Sequence, residues 1–353
     1  TQINVQAPAR ICLFGDHQDY LGLPVIACTI NRYIEIKAEP NQDALYNIQL
    51  PNIQEELIID LNQNFNFFKD KDYFHSSMDL FIKKGANFIQ GYDIVISGDI
   101  PVNAGVSSSS ALVVAWIRFL IEAQEHKKPL NNIQIGKLAY EAEVLYFNQP
   151  GGLMDQYTIA QGGMLYIDTK KGSTLALNPE IGTLILAESG IEKQTLKVLQ
   201  NARNFAQKAI EEVKREDPQF NLNISNENDY EKYLPLISNL YKPYWYAAIH
   251  NYLITQNAKE LLTKTSPTFE KLGILMNSHQ KILQECIQNT PSQMIKQMEA
   301  AKRAGAFGAK IIGSGGGGCM VALTDNDSKA QVIKAFKDAG SLKAYEVEIK
   351  SHL

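Results

Sequence analysis

Pro101-Val102-Asn103-Ala104-Gly105-Val106-Ser107-Ser108-Ser109-Ser110-Ala111 is the stretch on which the reading of this chain turns. Upstream, Tyr92-Asp93-Ile94-Val95-Ile96-Ser97 sets Ile94 and Ile96 two residues apart, the alternation of a half-buried strand. Downstream, residues 111–121 are apolar almost all round, the composition of a buried helix. A loop of small residues feeding a helix start leaves backbone N–H groups without partners at the positive end of the helix dipole. Such an end attracts phosphate. The loop contains no lysine, so it is not of the G-x-x-x-x-G-K-[ST] type, and positive charge has to come from elsewhere. Read alone, the four serines serve equally well as caps for a core helix.

Working outward, two further polar loops stand at the ends of apolar strands. Residues 3–14 become continuously apolar at Ile11-Cys12-Leu13-Phe14 and stop at Gly15-Asp16-His17-Gln18-Asp19-Tyr20-Leu21-Gly22. Near the other end, Lys310-Ile311-Ile312 enters Gly313–Cys319 and Met320-Val321-Ala322-Leu323 leaves it, a strand–loop–strand pattern. Between them, Arg32–Ala38 alternates as a strand, 41–75 reads as short strands and loops, and 81–90 as a helix. Asn131 and Asn132 can cap a helix over 133–147. Short strands follow at Met164–Ile167 and Leu184–Ala187, the second closing the first half. From Lys193 the texture turns helical (195–215, 244–263, 267–288, 291–304), with a polar connector at 217–235. A helix over 328–339 and a strand over 344–349 finish the chain. The pattern predicts an α+β fold in two domains, 1–188 and 189–353.

At 353 residues the chain exceeds the size at which one core keeps growing, which also argues for two domains. A net charge of −4 argues against nucleic-acid or anionic-membrane partners. The six histidines show no metal-ligand spacing, and Cys12, Cys28, Cys286 and Cys319 sit in or beside apolar runs without C-x-x-C spacing. Reduced, buried thiols in a soluble cytoplasmic protein are the expectation.

Taken together the three loops resemble the GHMP kinases, the family of galactokinase, homoserine, mevalonate and phosphomevalonate kinases. Pro101–Ala111 resembles their phosphate loop, P-x-x-x-G-L-S-S-S-A, and Lys310–Cys319 their third motif around G-G-G-x-G-G-C. Residues 9–20, Ala-Arg-Ile-Cys-Leu-Phe-Gly-Asp-His-Gln-Asp-Tyr, resemble the galactokinase signature G-R-V-N-L-I-G-E-H-T-D-Y. Pro150-Gly151-Gly152-Leu153-Met154-Asp155-Gln156 is similar to P-x-G-I-M-D-Q, and Leu275–His279 echoes a helix of the same subfamily.

The resemblance implies a two-domain fold with its active site in the interdomain cleft, ATP and Mg²⁺ as cofactors, and a small sugar as phosphoryl acceptor. Phosphoryl transfer needs neutralised charge, a metal on the phosphates and an oriented hydroxyl. On this basis Ser109 and Glu143 would hold Mg²⁺, Glu143 having Glu141 as a near neighbour of the same kind. Asp155 would act as base and Arg10 would pair with it and neutralise the transferred group. Asn103, Gly105, Val106, Ser107, Ser108, Ser109, Ser110, Gly315 and Gly316 would contact ATP. Asp16, His17, Asp19, Tyr20 and Gly152 would hold the sugar. Asp16 departs from the family glutamate by one methylene, which leaves its contact at the far end of the sugar open. The expected reaction is phosphorylation of an anomeric hydroxyl. Its rivals are kinases for another sugar, a uronic acid or mevalonate, the related diphosphomevalonate decarboxylase, and a sugar-binding homologue without catalysis. The resemblance leaves the oligomeric state open.

Overall fold

The computed structural model describes residues 1–66, 69–149, 151–194 and 197–350. Pro150 of the glycine-pair motif, and the expected helix start at Thr195, lie outside the described residues. The first sheet grows from two long strands, β1 (Ile3–Phe14) and β2 (Val25–Pro40), paired antiparallel from Ile3↔Ala38 to Phe14↔Ile26. β3 (Leu45–Leu50), β4 (Glu55–Asp60), β5 (Tyr92–Gly98), β6 (Met164–Asp168) and β7 (Ser173–Leu177) complete it. The order is β4-β3-β5-β2-β6-β7, with β1 against β2. In β5, Tyr92, Ile94 and Ile96 face the core, as the alternation predicts.

Four helices accompany this sheet: α1 (Tyr73–Lys83), α2 (Ser108–Ala123), α3 (Asn132–Tyr140) and α4 (Met154–Gln161). α2 is apolar all round because it is buried all round, and it packs on β1 and β2. Its Trp116 stacks on Phe119 at 4.9 Å and meets the edge of Phe74 at 4.8 Å. The helix expected over 81–90 is α1 instead. Asp72 starts it early by accepting a hydrogen bond from the His75 N–H at 3.1 Å, and Gly85 at φ 86° ends it. The helix expected over 133–147 begins with an Asn131–Gln134 capping box, but after Tyr140 it widens into one π-helical turn, Glu141–Leu145.

The second sheet holds β8 (Thr183–Glu188), β9 (Gly308–Ile311), β10 (Cys319–Thr324) and β11 (Lys343–Val347), all antiparallel, in the order β11-β8-β10-β9. The strand Leu184–Ala187, expected to close the first half, therefore lies inside the second sheet, flanked by β10 and β11. Its four apolar residues report burial on both faces; periodicity carries no information about which sheet supplies that burial.

Helices α5 (Lys197–Glu216), α6 (Glu227–Tyr233), α7 (Lys242–Leu262), α8 (Phe269–Ile282), α9 (Ser292–Arg303) and α10 (Lys329–Asp338) belong to the later part of the chain. The polar connector at 217–235 contains α6, held by an Asn226–Asp229 capping box. The two sheets meet where Ile30 bridges Ile349, and the Lys350 N–H donates to the Thr29 carbonyl at 2.8 Å. Cys12, Cys28 and Cys319 are buried, Cys286 is half-buried, and all four are free thiols. No helix among the described residues is long and apolar enough to cross a membrane.

Candidate active site

α2 begins without a side-chain cap. Ser107 precedes it in the left-handed region (φ 60°, ψ 49°), and its hydroxyl accepts from Arg10 Nη2 instead of bonding the helix. The helix start is thus left open to a cavity of about 420 Å³, lined by Asn103, Gly105 and the serines Ser107–Ser110. Open N–H groups and hydroxyls at a helix N-terminus suit phosphate. A Cβ on Gly105 would stand 2.5 Å from the Ile312 carbonyl oxygen, so only glycine permits this approach to the third loop. There the Cys319 N–H donates to the Ala104 carbonyl at 2.9 Å.

Three of the expected phosphate contacts, Val106, Gly315 and Gly316, lie outside the lining of this cavity. The Val106 side chain is fully buried, and its carbonyl accepts the Arg10 N–H at 3.1 Å; an apolar side chain gains more in the core than at a polar rim. The third loop reaches the cavity through Gly313 and Ser314, not through Gly315 and Gly316. The Gly316 N–H donates to the Asn289 carbonyl at 2.7 Å, and the Gly316 carbonyl accepts from the Gln194 N–H at 3.1 Å. Gly315 packs so tightly on Asn289 that a Cβ would lie 2.5 Å from its carbonyl oxygen.

The π turn carries Glu143 inward, 7% exposed, to the start of α2. Its Oε1 accepts from Ser110 Oγ at 2.5 Å and from Gln156 Nε2. Burial pushes the Glu143 carboxyl up from its ordinary value, against hydrogen bonds from Ser110, Gln156 and Ser109 that pull it down. Ser109 and Glu143 are therefore together, as expected, with Ser110 the principal hydroxyl partner. Glu141 faces a separate groove beside Lys137 and Tyr146. The fit to a hard divalent cation is good: an acid, hydroxyls and room for water. Among the described residues no three His, Cys, Asp or Glu side chains converge, so a cation here would lean on phosphate oxygens and water, as Mg²⁺ ordinarily does.

At the other end of the cavity, Arg10 reaches from β1 to Asp155 in the first turn of α4, with Nη2 2.7 Å from Oδ1. Its Nη1 also donates to the Gly105 carbonyl at 3.3 Å. Burial alone would lower the Arg10 pKa, but Asp155, with other acidic groups nearby, holds it above its ordinary value. The guanidinium thus ties Gly105 and Ser107 to Asp155. Asp19 stands beside Gly152, where a Cβ would come 2.2 Å from Asp19 Oδ2. Burial, then the charge of Asp155, raises the Asp19 pKa to about 6. Asp19 Oδ1 accepts from the Tyr20 N–H at 3.0 Å.

Asp16, His17 and Tyr20 line the same cavity and also bond within the protein. Asp16 is 2% exposed; one oxygen pairs with Lys310 Nζ and the other accepts the Gly313 N–H at 3.1 Å. Although burial would raise its pKa, Lys310 and His279 hold it well below the usual carboxylate range. Lys310 spends its other donors on the carbonyls of Cys12 (3.0 Å) and Ile311 (2.7 Å). Asp16 thus anchors the third loop, and it also lines the cavity where the sugar contact is expected. His17 and Tyr20 are likewise engaged: His17 Nε2 lies 2.8 Å from the Ser314 carbonyl, so it carries the proton, and Nδ1 accepts from the Tyr20 hydroxyl at 2.9 Å.

Sequence reasoning missed Lys193, a second cation beside Arg10 in the cavity lining, from the segment between β8 and α5. One lysine within Glu192-Lys193-Gln194 offers no distinguishing signal. Lys310 did offer one, being a charge inside the apolar run Ala309–Ile312. His279 is fully buried, accepting the Gly15 N–H at Nε2 (3.3 Å) and donating from Nδ1 to Asn251 Oδ1 (2.9 Å).

An open helix start, a buried acid among hydroxyls, and an arginine–aspartate pair around one cavity are the parts of a phosphoryl-transfer site. The chain belongs to the GHMP kinases: the GHMP kinases N terminal domain matches residues 72–163 and the GHMP kinases C terminal domain residues 258–342. A third family, the galactokinase galactose-binding signature, matches residues 1–40. Among relatives, the mevalonate kinase of Thermococcus gammatolerans is 27% identical, covering 96% of this chain and 94% of its own. The galactokinase of Haemophilus influenzae is 26% identical, covering 96% and 89%. In structure, Lactococcus lactis galactokinase complexed with galactose superposes with a TM-score of 0.85 at 19% identity, covering 100% of this chain and 95% of that one. Methanococcus jannaschii mevalonate kinase gives 0.75 at 19%, covering 99% of each. These likenesses show a two-domain mixed α/β kinase fold.

Proposed function

We propose that this protein transfers the γ-phosphoryl group of ATP to the anomeric hydroxyl of a monosaccharide, in the manner of a galactokinase. The carrying observation is the pair Arg10–Asp155, 2.7 Å apart, facing the open start of α2 across the cavity, with Asp19 beside it. In this reading Asp155 accepts the proton of the acceptor hydroxyl. Arg10 and Lys193 offset charge on the transferred group, and the serines with the α2 N–H groups cradle the remaining phosphates. A Mg²⁺ ion held by Glu143 with Ser109 or Ser110 would bridge phosphate oxygens and neutralise part of their charge. The adenine base would occupy a second, mostly apolar cavity of about 670 Å³ lined by Leu112, Val113 and Trp116 of α2 with Tyr73 and Phe74 of α1. Asp19, which lines the cavity with Asp155, would take a sugar hydroxyl. The match of the galactose-binding signature to residues 1–40 supports a sugar.

A mevalonate acceptor is the second reading. The identity to mevalonate kinases supports it, as does Lys193, which has no ion-pair partner among the described residues and suits a carboxylate. ADP release measured across free monosaccharides, uronic acids and mevalonate separates the two. The sugar reading expects turnover with a monosaccharide and loss of its reducing end in the product. Turnover with mevalonate alone overturns it.

A further inference from the structure

Gln156 follows Asp155 in the first turn of α4, and the roles assigned so far leave its side chain without a task. It is 2% exposed and lines the cavity. Its Nε2 donates to Glu143 Oε1 and lies 3.4 Å from Ser110 Oγ. Its Oε1 is buried and, among the described residues, has no hydrogen-bond partner. Chemistry fixes this orientation of the amide: turned over, Oε1 would face the Glu143 carboxylate, acceptor against acceptor. Leaving a buried acceptor unsatisfied is costly, and such exceptions are kept where a ligand supplies the missing donor.

The identity of that donor is narrowly constrained. Phosphate oxygens of ATP accept hydrogen bonds at neutral pH and cannot supply it. The carbonyl oxygen shares its carbon with the nitrogen that holds Glu143, so the donor stands beside Glu143 and Ser110. That is the metal end of the cavity; the acceptor end belongs to Asp155 and Asp19. Water bound to a divalent cation is a strong donor at that place, and outer partners of this kind orient the ligands of a metal. We propose that Gln156 is a positioning residue: Nε2 fixes the Glu143 carboxylate, and Oε1 receives a hydrogen bond from water on the cation that Glu143 holds. The inference rests on the reading of Glu143 as the metal end and is independent of which acceptor is phosphorylated.

The test uses Mn²⁺ as probe, its affinity measured by electron paramagnetic resonance on the full chain with a non-hydrolysable ATP analogue. Gln156→Met keeps the length of the side chain and removes both polar contacts; Gln156→Asn keeps the amide and falls one methylene short. Each is expected to weaken Mn²⁺ binding about 10–100-fold. The KM for the acceptor should stay within about twofold, a split that loss of packing alone would not produce. If one variant does not fold, the other carries the test. Mn²⁺ affinity within twofold of wild type in a folded variant overturns the proposal. Unchanged Mn²⁺ affinity with a raised acceptor KM overturns it equally, and transfers the missing donor to the substrate hydroxyl. Failure of the sugar reading would appear only in the acceptor screen on the wild-type protein and would leave the Mn²⁺ result standing.

Discussion

The first loop and the serine loop look alike in sequence, each a polar run at the end of an apolar strand, yet they differ in what they leave open. In Gly15–Gly22, Asp16, His17, Asp19 and Tyr20 all line the cavity, and each also bonds to a protein partner. In Pro101–Ser110, the hydroxyls of Ser107 and Ser110 meet Arg10 and Glu143, but helix α2 begins without a side-chain cap and its start stays open to the cavity. The difference follows from burial. A polar side chain taken out of water must be satisfied, and the first loop meets α7, α8, β9 and the third loop, which supply its partners. A loop that binds phosphate has to leave its donors free. The number of polar residues in a loop is therefore a poor count of its ligand contacts.

The largest expected effect lies where the two loops converge. Asp155→Asn keeps the shape of the side chain but cannot take a proton, so kcat should fall by at least about 10²-fold if Asp155 is the base. Single-turnover measurements at saturating acceptor check this, and a kcat within about threefold of wild type would remove Asp155 as base. Next comes Asp16→Asn, which leaves Lys310 buried without a counter-charge. Loss of one partner of a buried pair costs about 3–5 kcal/mol. Denaturant unfolding should show it as a large drop in stability; a drop under about 1 kcal/mol would mean that water reaches Lys310.

The same substitution three residues on should act in the opposite direction. Asp19 has its pKa raised to about 6, above the unfolded value, so its ionised form opposes folding. That penalty is absent below about pH 4 and fully present above pH 6. Asp19→Asn should accordingly leave stability unchanged at pH 4 and raise it slightly at pH 7.5, while raising the acceptor KM by on the order of 1–3 kcal/mol in binding. In the wild type the acceptor KM should climb about tenfold per pH unit below 6, as the carboxylate that takes a hydroxyl becomes protonated. An acceptor KM flat between pH 5 and 7 would place Asp19 outside the binding site.

Fold class and the convergence of the three loops were legible in the sequence because each loop interrupts an apolar strand, and punctuation of that kind survives without coordinates. Arg10, Asp155 and Glu143 were singled out through the resemblance to the GHMP kinases, and the structure brings all three to one cavity. The fates of Asp16 and His17 were not legible, because their partners are Lys310 and Ser314, and no local pattern reports a contact with the far end of the chain. Glycine shows the same limit. A run of four after Ser314 marks a tight loop, but which of its N–H groups face the cavity depends on Asn289, from another element. The helix expected over 81–90 lies at Tyr73–Lys83 for local reasons: Asp72 caps its start and Gly85, at φ 86°, ends it.

Asp16 and Lys310 are 294 positions apart, and their pairing has a consequence for how this protein comes into being. While the chain is being synthesised, the loop after β1 emerges early with an acid that burial would penalise and with no cation to meet it. The partner arrives on β9, followed by the segment that closes against Gly105. Contacts of such long range form late and slowly. A nascent chain that stops short of β9 holds Arg10, Asp19, Glu143 and Asp155 but lacks the strand that seats the first loop. Catalytic competence is thus deferred until nearly the whole chain has folded, and an amino-terminal fragment would carry the reacting groups without the architecture that aligns them.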